Sequence, residues 1–385
     1  MHITNQELRL IFIISIIFAS RMLGIFMILP ILSTYAISLP GSNEYLIGIA
    51  LGIYGIAQII FQLPFGYISD KIGRKPIIIL GLIISALGSE LAAISNGIWG
   101  LILGRALQGS GAIGSVLIAL LLDSTQERYR TQAMAIIGIS FGLTFLSSMV
   151  LGPLIANKFG LYGIFQIITI ITGLSIILVI FEIPEGNSIN NTHNNMTLKD
   201  IFNTVKYINT HLKLIKLNFN IFCLHTVLIL NFITWPQIII SLGYSNEMHF
   251  QIYAIIIAIS ILVIFPYFFY SNKKNYDQKM LTFSKNILFL SELIMLIAIQ
   301  NHWLFFVGMQ LFFIAFNLIE SILPTLINNK TPNQYKGSSI SIYSIYQFLG
   351  TGIGGIIGGL LLKIQGIQLI LLCSILITLI NIKIK

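Results

Sequence analysis

The chain is short of charge, and that shortage bounds its class. Only 9% of its 385 residues are Asp, Glu, Lys or Arg, where soluble domains carry about a quarter. A surface in water built from so few charges would leave large apolar patches bare, so lipid is the expected solvent. Cysteine is nearly absent. Cys223 and Cys373 both lie inside apolar stretches, which gives neither a disulfide framework nor metal-ligand spacing, so no metal and no cofactor is expected. There is no Walker loop, so an ion gradient rather than ATP is the expected energy source. The N-terminus has no small-residue cleavage site after a short apolar stretch, so no cleavable signal is read there. Thr4 with Glu7 instead fits a capping box that starts a first helix.

What fills the chain is apolar residues, 56% of the total, with a mean hydropathy of +0.90. They fall into twelve blocks, and a hydrocarbon core about 30 Å thick needs about 20 helical residues per crossing. In the first half the blocks are Leu10–Tyr35, Leu46–Phe65, Pro76–Ser95, Trp99–Leu122, Ala133–Ile155 and Leu161–Ile183. The second half has Leu217–Ile240, Ile252–Phe269, Leu281–Ile299, Trp303–Ile327, Ser338–Leu362 and Ile367–Ile382. The spacing predicts an all-α integral membrane protein of twelve spans.

The net charge of +9 does not point to nucleic acid, because the basic residues do not gather on one face. They sort by side of the membrane. With the N-terminus in the cytoplasm, all but four of the 22 basic residues fall at the cytoplasmic side. The exceptions are Lys158 and Lys363 on the far side, and Arg21 and Arg105 inside spans. That is the positive-inside pattern, and it places both termini in the cytoplasm. The longest break is polar, from Pro184 to about Lys216. It divides the chain into a bundle at residues 9–183, a central loop at 184–216 and a second bundle at 217–382. The halves match at an offset of about 205 residues, the internal symmetry of transporters built from repeats.

Three stretches carry more specific information. Gly66-Tyr67-Ile68-Ser69-Asp70-Lys71-Ile72-Gly73-Arg74-Lys75 resembles the loop signature G-x-L-A-D-R-x-G-R-K of the major facilitator superfamily, matching at Gly66, Asp70, Gly73, Arg74 and Lys75. Arg105-Ala106-Leu107-Gln108-Gly109 resembles that family's R-x-x-Q-G signature, common in proton-coupled members. Gly152-Pro153 resembles the start of its antiporter signature G-P-x-x-G-G, but Ala156 and Asn157 stand where glycines belong; close helix packing with a proline kink is the other reading. Further stretches at Arg21–Pro30, Phe316–Pro324 and Lys336–Gly350 place the resemblance in the drug:proton antiporter branch. They are similar to a bacterial inner-membrane member that carries a soluble domain after its last helix. This chain stops at Lys385, and regulation by such a domain is not expected. Heavy use of Ile, Asn and Lys resembles an AT-biased bacterial genome.

The resemblance implies a fold of two pseudo-symmetric six-helix bundles in the bacterial inner membrane. It implies a secondary transporter of a small molecule, most simply a proton-coupled exporter, with proton-linked or facilitated uptake as the alternative. It also implies a cytoplasmic latch in which Arg74 pairs with Asp123 while Asp70 faces the start of the eleventh span near Ser338. A carboxylate there would meet the positive end of a helix dipole. A monomer suffices for such a design.

Charges at membrane depth cost about 2.5–3.5 kcal/mol each on insertion scales, so they face the bundle interior or a wet cavity. In the family fold, spans one, four, seven and ten line the cavity. Arg21, Arg105, His225 and Glu320 fall one on each, with Asn317 a turn from Glu320, and these are the expected transport path. Arg105 has a second reading, a brace on carbonyls of the first span, and His225 a second reading as a core histidine. Glu320 is the first candidate for proton coupling and His225 the second. Glu90 and Glu292 fall on outer spans. Gln58, Gln62, Tyr346 and Gln347 are polar groups of the second and eleventh spans able to touch substrate. Gly350, Gly354 and Gly358, with Gly355 and Gly359, repeat every fourth residue of the eleventh span and predict close helix packing. A membrane-embedded hydrolase would need a nucleophile with a base. The other histidines (His2, His193, His211, His249 and His302) lie in loops or at helix ends, so an enzyme is not expected. A channel would need a ring or filter motif, and twelve spans in two pseudo-symmetric halves argue against it.

Overall fold

A computed structural model describes residues 5–126, 129–184, 207–208, 210–270, 276–332 and 336–384. The first span is α1 (Asn5–Phe26) continued by the short α2 (Leu32–Tyr35). The second is α3 (Glu44–Ile72), and the third is α4 (Arg74–Ile94). The fourth is split into α5 (Ile98–Ser110) and α6 (Gly114–Asp123). The fifth and sixth form one run, α7 (Arg130–Glu182), broken at Gly160, whose φ is 62°. The seventh to tenth are α8 (Leu212–Ser241), α9 (His249–Tyr270), α10 (Tyr276–Ile297) and α11 (His302–Lys330). The eleventh and twelfth are α12 (Lys336–Gln365) and α13 (Ile367–Lys383).

Among the described residues ten helical stretches, with α5 and α6 counted together, are long and apolar enough to cross a membrane. One of the ten holds two spans around Gly160, and the shorter Ile367–Lys383 adds another. The twelve blocks are thereby accounted for. Large apolar side chains such as Trp303 (83% exposed) and Phe181 (80%) stand on the outside, as a lipid-facing surface requires. Burial is graded by position: 89% of the most apolar stretch of the seventh span is buried, against 33% for the eighth.

Local chemistry explains the ends. Asn43 and Asn301 cap α3 and α11 by accepting the backbone N–H of Leu46 (2.9 Å) and Leu304 (3.2 Å). Thr4 of the expected capping box lies outside the described residues, and Glu7 accepts from the Gln126 backbone N–H at 3.3 Å. Gly160 and Gly366 turn the chain at φ 62° and 73° between spans five and six and between eleven and twelve, close to the offset of the internal repeat. Only glycine adopts such values without strain.

Four boundaries differ from the sequence reading. The stretch Gly66–Ile72 is not loop but the last two turns of α3, and the turn itself is Gly73 alone, at φ 107°. The first span unwinds over Met27–Pro30, where proline lacks the N–H that would continue the ladder. The fourth span unwinds at Gly111–Ile113, where Ala112 N donates to the Ser110 carbonyl at 2.8 Å. At the centre of the polar break the residues 185–206 and 209 lie outside the described ones, and α8 already begins at Leu212.

Within the first half the first span packs along α7, and the third against the fourth and α7. In the second half the seventh packs on the eleventh and twelfth, and the ninth on the tenth and twelfth. Between halves the most extensive contact joins the second and eleventh spans, with smaller ones between the first and seventh and between α7 and the eighth.

Glycine makes the large contact. A Cβ on Gly52 would reach the Gly352 carbonyl oxygen at 2.5 Å, and one on Gly355 would reach Gly52 N at 2.5 Å. The other face of the same helix serves the seventh span: a Cβ on Gly354 would meet the Thr226 carbonyl oxygen at 2.9 Å, and one on Gly350 the His225 Cβ at 3.1 Å. On Gly358 a Cβ would meet Leu230 Cδ2 at 3.0 Å. The two glycine series therefore face different partners, one across the halves and one within the second half.

Candidate functional site

At the end of the first half that carries the basic loops, the Gly66–Lys75 stretch binds helices of that half together. Arg74 forms an ion pair with Asp70 one turn back, donates from Nε to Asp123 Oδ2 at 3.1 Å, and donates from Nη1 to Ser69 Oγ at 2.6 Å. Lys75 Nζ donates to the Ile180 carbonyl at 2.8 Å, so a cation sits at the C-terminal end of the sixth span, where the helix dipole favours it. Arg9 and Glu182 add an ion pair at 2.5 Å between the first and sixth spans. The observed partner of Asp70 is Arg74; the side chain of Ser338 lies outside the described residues. Gly66 is not forced by space here, since a Cβ would find only Ser115 Oγ at 3.5 Å. Gly152 backs onto the unwound stretch of the first span, where a Cβ would meet Met27 Cα at 3.3 Å, and Pro153 follows inside the helix.

Deeper in the same half two arginines share their surroundings. Arg21 is 7% exposed and Arg105 1%. Arg21 donates from Nη1 to Ser85 Oγ and to the Gln108 carbonyl (3.3 Å), and from Nη2 to the Tyr54 hydroxyl (3.1 Å) and Gln58 Oε1 (3.3 Å). Arg105 donates from Nη1 to Gln108 Oε1 at 2.6 Å, and its guanidinium lies 4.7 Å from the centre of the Tyr54 ring. Its Nε donates to the Ala50 carbonyl at 3.4 Å. The brace expected on the first span is therefore on the second, because α3 runs alongside α5. Every described partner of both arginines is neutral.

In the second half His225, Glu320 and Gln347 converge from the seventh, tenth and eleventh spans. His225 Nε2 lies 3.3 Å from Glu320 Oε2 and 2.9 Å from Gln347 Nε2, which also donates to Glu320 Oε1 at 3.2 Å. His225 is 2% exposed and Gln347 7%, while the Glu320 side chain is the most open of the three at 14%. Asn317 stays outside it, its buried Nδ2 without a partner among the described residues.

Aromatic rings link the clusters across the halves. Tyr54, which both arginines touch, lies 6.3 Å from Phe348, the neighbour of Gln347. Phe145 of the fifth span lies 5.0 Å from Phe316, whose ring is 5.8 Å from that of His225.

The two carboxyls on outer spans separate in character. Glu90 accepts from Gln166 Nε2 at 3.0 Å on both oxygens, a bond between the third and sixth spans. Glu292 points inward: it is fully buried and accepts from Asn231 Nδ2 at 2.8 Å. An outer span still has an inner face, and Ser284, Leu288, Ser291, Glu292 and Met295 make it here. Tyr54, Ser85 and Asn231 escaped the sequence reading because uncharged residues in an apolar helix carry no periodic or charge signal. Gln347 was visible as a polar group on the eleventh span, without its partners.

The chain belongs to the Major Facilitator Superfamily, whose profile matches residues 14–355. It is therefore a multi-pass membrane protein of a transporter family and not a member of an enzyme family. It is 43% identical to the inner membrane transport protein YajR of Escherichia coli (strain K12) over 356 residues, which cover 92% of this chain and 78% of that protein. It is 29% identical to the class B tetracycline resistance protein of Escherichia coli over 205 residues, 52% of this chain and 50% of that protein. Among solved structures, the human organic anion transporter MFSD10 superposes with a TM-score of 0.72 at 15% identity, covering 99% of this chain and 100% of that one. At that identity the likeness is one of fold.

Proposed function

We propose that the chain moves a small solute across the bacterial inner membrane by alternating access, as a proton-coupled exporter. The observation that carries this reading is the His225–Glu320–Gln347 cluster, held one ring away from the contact between the halves. Similarity to YajR, an inner membrane transport protein, and to a drug resistance protein supports the location and the outward direction.

The geometry supplies a coupling step. His225 Nε2 has one lone pair. When it is free, it accepts the Gln347 amide N–H. When it carries a proton, it donates toward Glu320 Oε2, and the Gln347 N–H then faces another N–H and must turn away. Gln347 is next to Phe348, which touches Tyr54 of the other half. A proton arriving at the pair thus moves a residue beside the seam.

With the basic loops in the cytoplasm, the glycine contact of the second and eleventh spans lies on the periplasmic side. The structure is then read as closed outward, with Arg74, Asp70 and Asp123 at the cytoplasmic edge ready to engage the other half when the transporter turns over.

The test uses everted vesicles with a preacidified lumen and a panel of drugs, sugars and amino-acid derivatives. An exported substrate releases lumenal protons. Glu320→Gln is expected to lose proton-driven transport while keeping proton-independent exchange. Unchanged proton-driven transport would remove Glu320 from the role, and proton movement in the opposite sense would favour uptake.

A further inference from the structure

The most buried carboxyl of the described residues lies outside the path just described. Glu292 of the ninth span and Asn231 of the seventh are each 0% exposed. Asn231 Nδ2 donates to Glu292 Oε1 at 2.8 Å. The two remaining oxygens of the pair, Glu292 Oε2 and Asn231 Oδ1, are both buried and both lack a partner among the described residues. A carboxylate would leave two buried acceptors with no donor and would add an uncompensated charge in the bundle core, and each of these is costly. A carboxylic acid removes all three penalties with one atom. Its O–H donates to the amide oxygen while its carbonyl accepts the amide N–H, closing a cyclic acid–amide pair.

We propose that Glu292 and Asn231 form a proton-binding site in which Glu292 carries the proton as a neutral acid and donates it to Asn231 Oδ1. The site clamps the ninth span to the seventh and is separate from the His225–Glu320 cluster.

The surroundings fit a sealed proton rather than a hydrated ion. Trp235, one turn from Asn231, donates from Nε1 to Met295 Sδ at 3.2 Å, and its ring lies 5.0 Å from Phe312 and 5.5 Å from Phe313. Among the described residues no ion pair reaches Glu292, and the seventh span also carries the buried free thiol of Cys223. On the ninth span itself, Lys285 Nζ donates to the Asn381 and Ile384 carbonyls, both at 3.1 Å. His225 of the seventh span and Glu320 of the tenth bond each other. His302 meets Tyr244 edge-on at the opposite end of the tenth span from Lys330. Lys213 and Lys216 start the seventh span, and Lys383 ends the twelfth, where Cys373 is free.

The test is infrared spectroscopy on the purified full chain, with wild type and Glu292→Gln compared in H2O and D2O. The expected result is a protonated-carboxyl C=O band that shifts in D2O, persists from mildly acidic to mildly alkaline pH, and is absent from Glu292→Gln. Because glutamine reproduces both hydrogen bonds, that variant is expected to unfold near the wild-type temperature. Glu292→Leu, which leaves Asn231 unpaired, is expected to unfold several degrees lower. No such band at any pH, or Glu292→Gln failing to fold or destabilised as much as Glu292→Leu, overturns the proposal. So does an unfolding temperature that rises with sodium chloride but not with choline chloride, which would assign the site to a metal cation. None of these readouts depends on the direction or the substrate of transport.

Discussion

Tyr54 carries no charge, yet two buried cations converge on it. Its hydroxyl accepts from Arg21 and its ring faces Arg105, so one side chain offsets part of the cost of two arginines that have no described carboxylate partner. Tyr54→Phe keeps the ring and removes the acceptor. A hydrogen bond to a charged group contributes about 1.5–3 kcal/mol, and a loss of that order is expected for Tyr54→Phe. Tyr54→Leu also removes the cation–π contact and is expected to cost more. Thermal unfolding of the three proteins in one detergent checks the order; equal midpoints for all three would mean that Tyr54 does not support the arginines. The arginines themselves were legible in the sequence, because a charge in an apolar run stands out. Tyr54 was not, because aromatic residues are frequent in such runs and nothing marks the one that faces a guanidinium.

At the scale of the helix, the eleventh span shows how one motif serves two partners. A repeat of small residues states that something approaches closely, and the sequence carries that much. It does not state that Gly352 and Gly355 meet the second span while Gly350 and Gly354 meet the seventh. The difference matters for conformational change, since only the first contact crosses the halves. Gly52→Ala places a methyl against the Gly352 carbonyl and is expected to force the seam apart. Gly142→Ala, where a Cβ meets nothing within 4 Å, is the control. Spin labels at positions 45 and 363, whose native residues Tyr45 and Lys363 line one crevice at that end of the seam, report the separation. A longer-distance population is expected in Gly52→Ala and not in Gly142→Ala; identical distributions would mean that the seam tolerates the methyl. The hydropathy of the fourth span is continuous and predicts a single helix, because hydropathy does not sense that Gly111 lies against the backbone of Gly81.

At the scale of the molecule, the asymmetry of lysine and arginine predicts the orientation. In intact cells, an impermeant maleimide is expected to label a cysteine at position 42, in the turn between the first and second spans, and to spare one at position 383. These variants would carry Ser42→Cys or Lys383→Cys in a background with Cys223 and Cys373 replaced. The reverse pattern would invert the topology and with it the direction in which the glycine seam closes. The same asymmetry accounts for the latch region. Its charges bind spans three, four and six of the first half among themselves, so the described ion pairs at that edge rigidify one half and none of them joins the two halves.

The sequence by itself determined the solvent, the number of crossings, the paired halves and the expected side of each loop. Those properties follow from length, hydropathy and charge along the chain, which are one-dimensional quantities. Only the tertiary structure decided which polar side chains meet. The bonds that define the second half join residues 95 positions apart in His225 and Glu320 and 61 apart in Asn231 and Glu292. In lipid nearly every face of a helix is apolar, so periodicity does not tell which face a lone polar group takes. That is settled by the partner it must reach to avoid being buried alone.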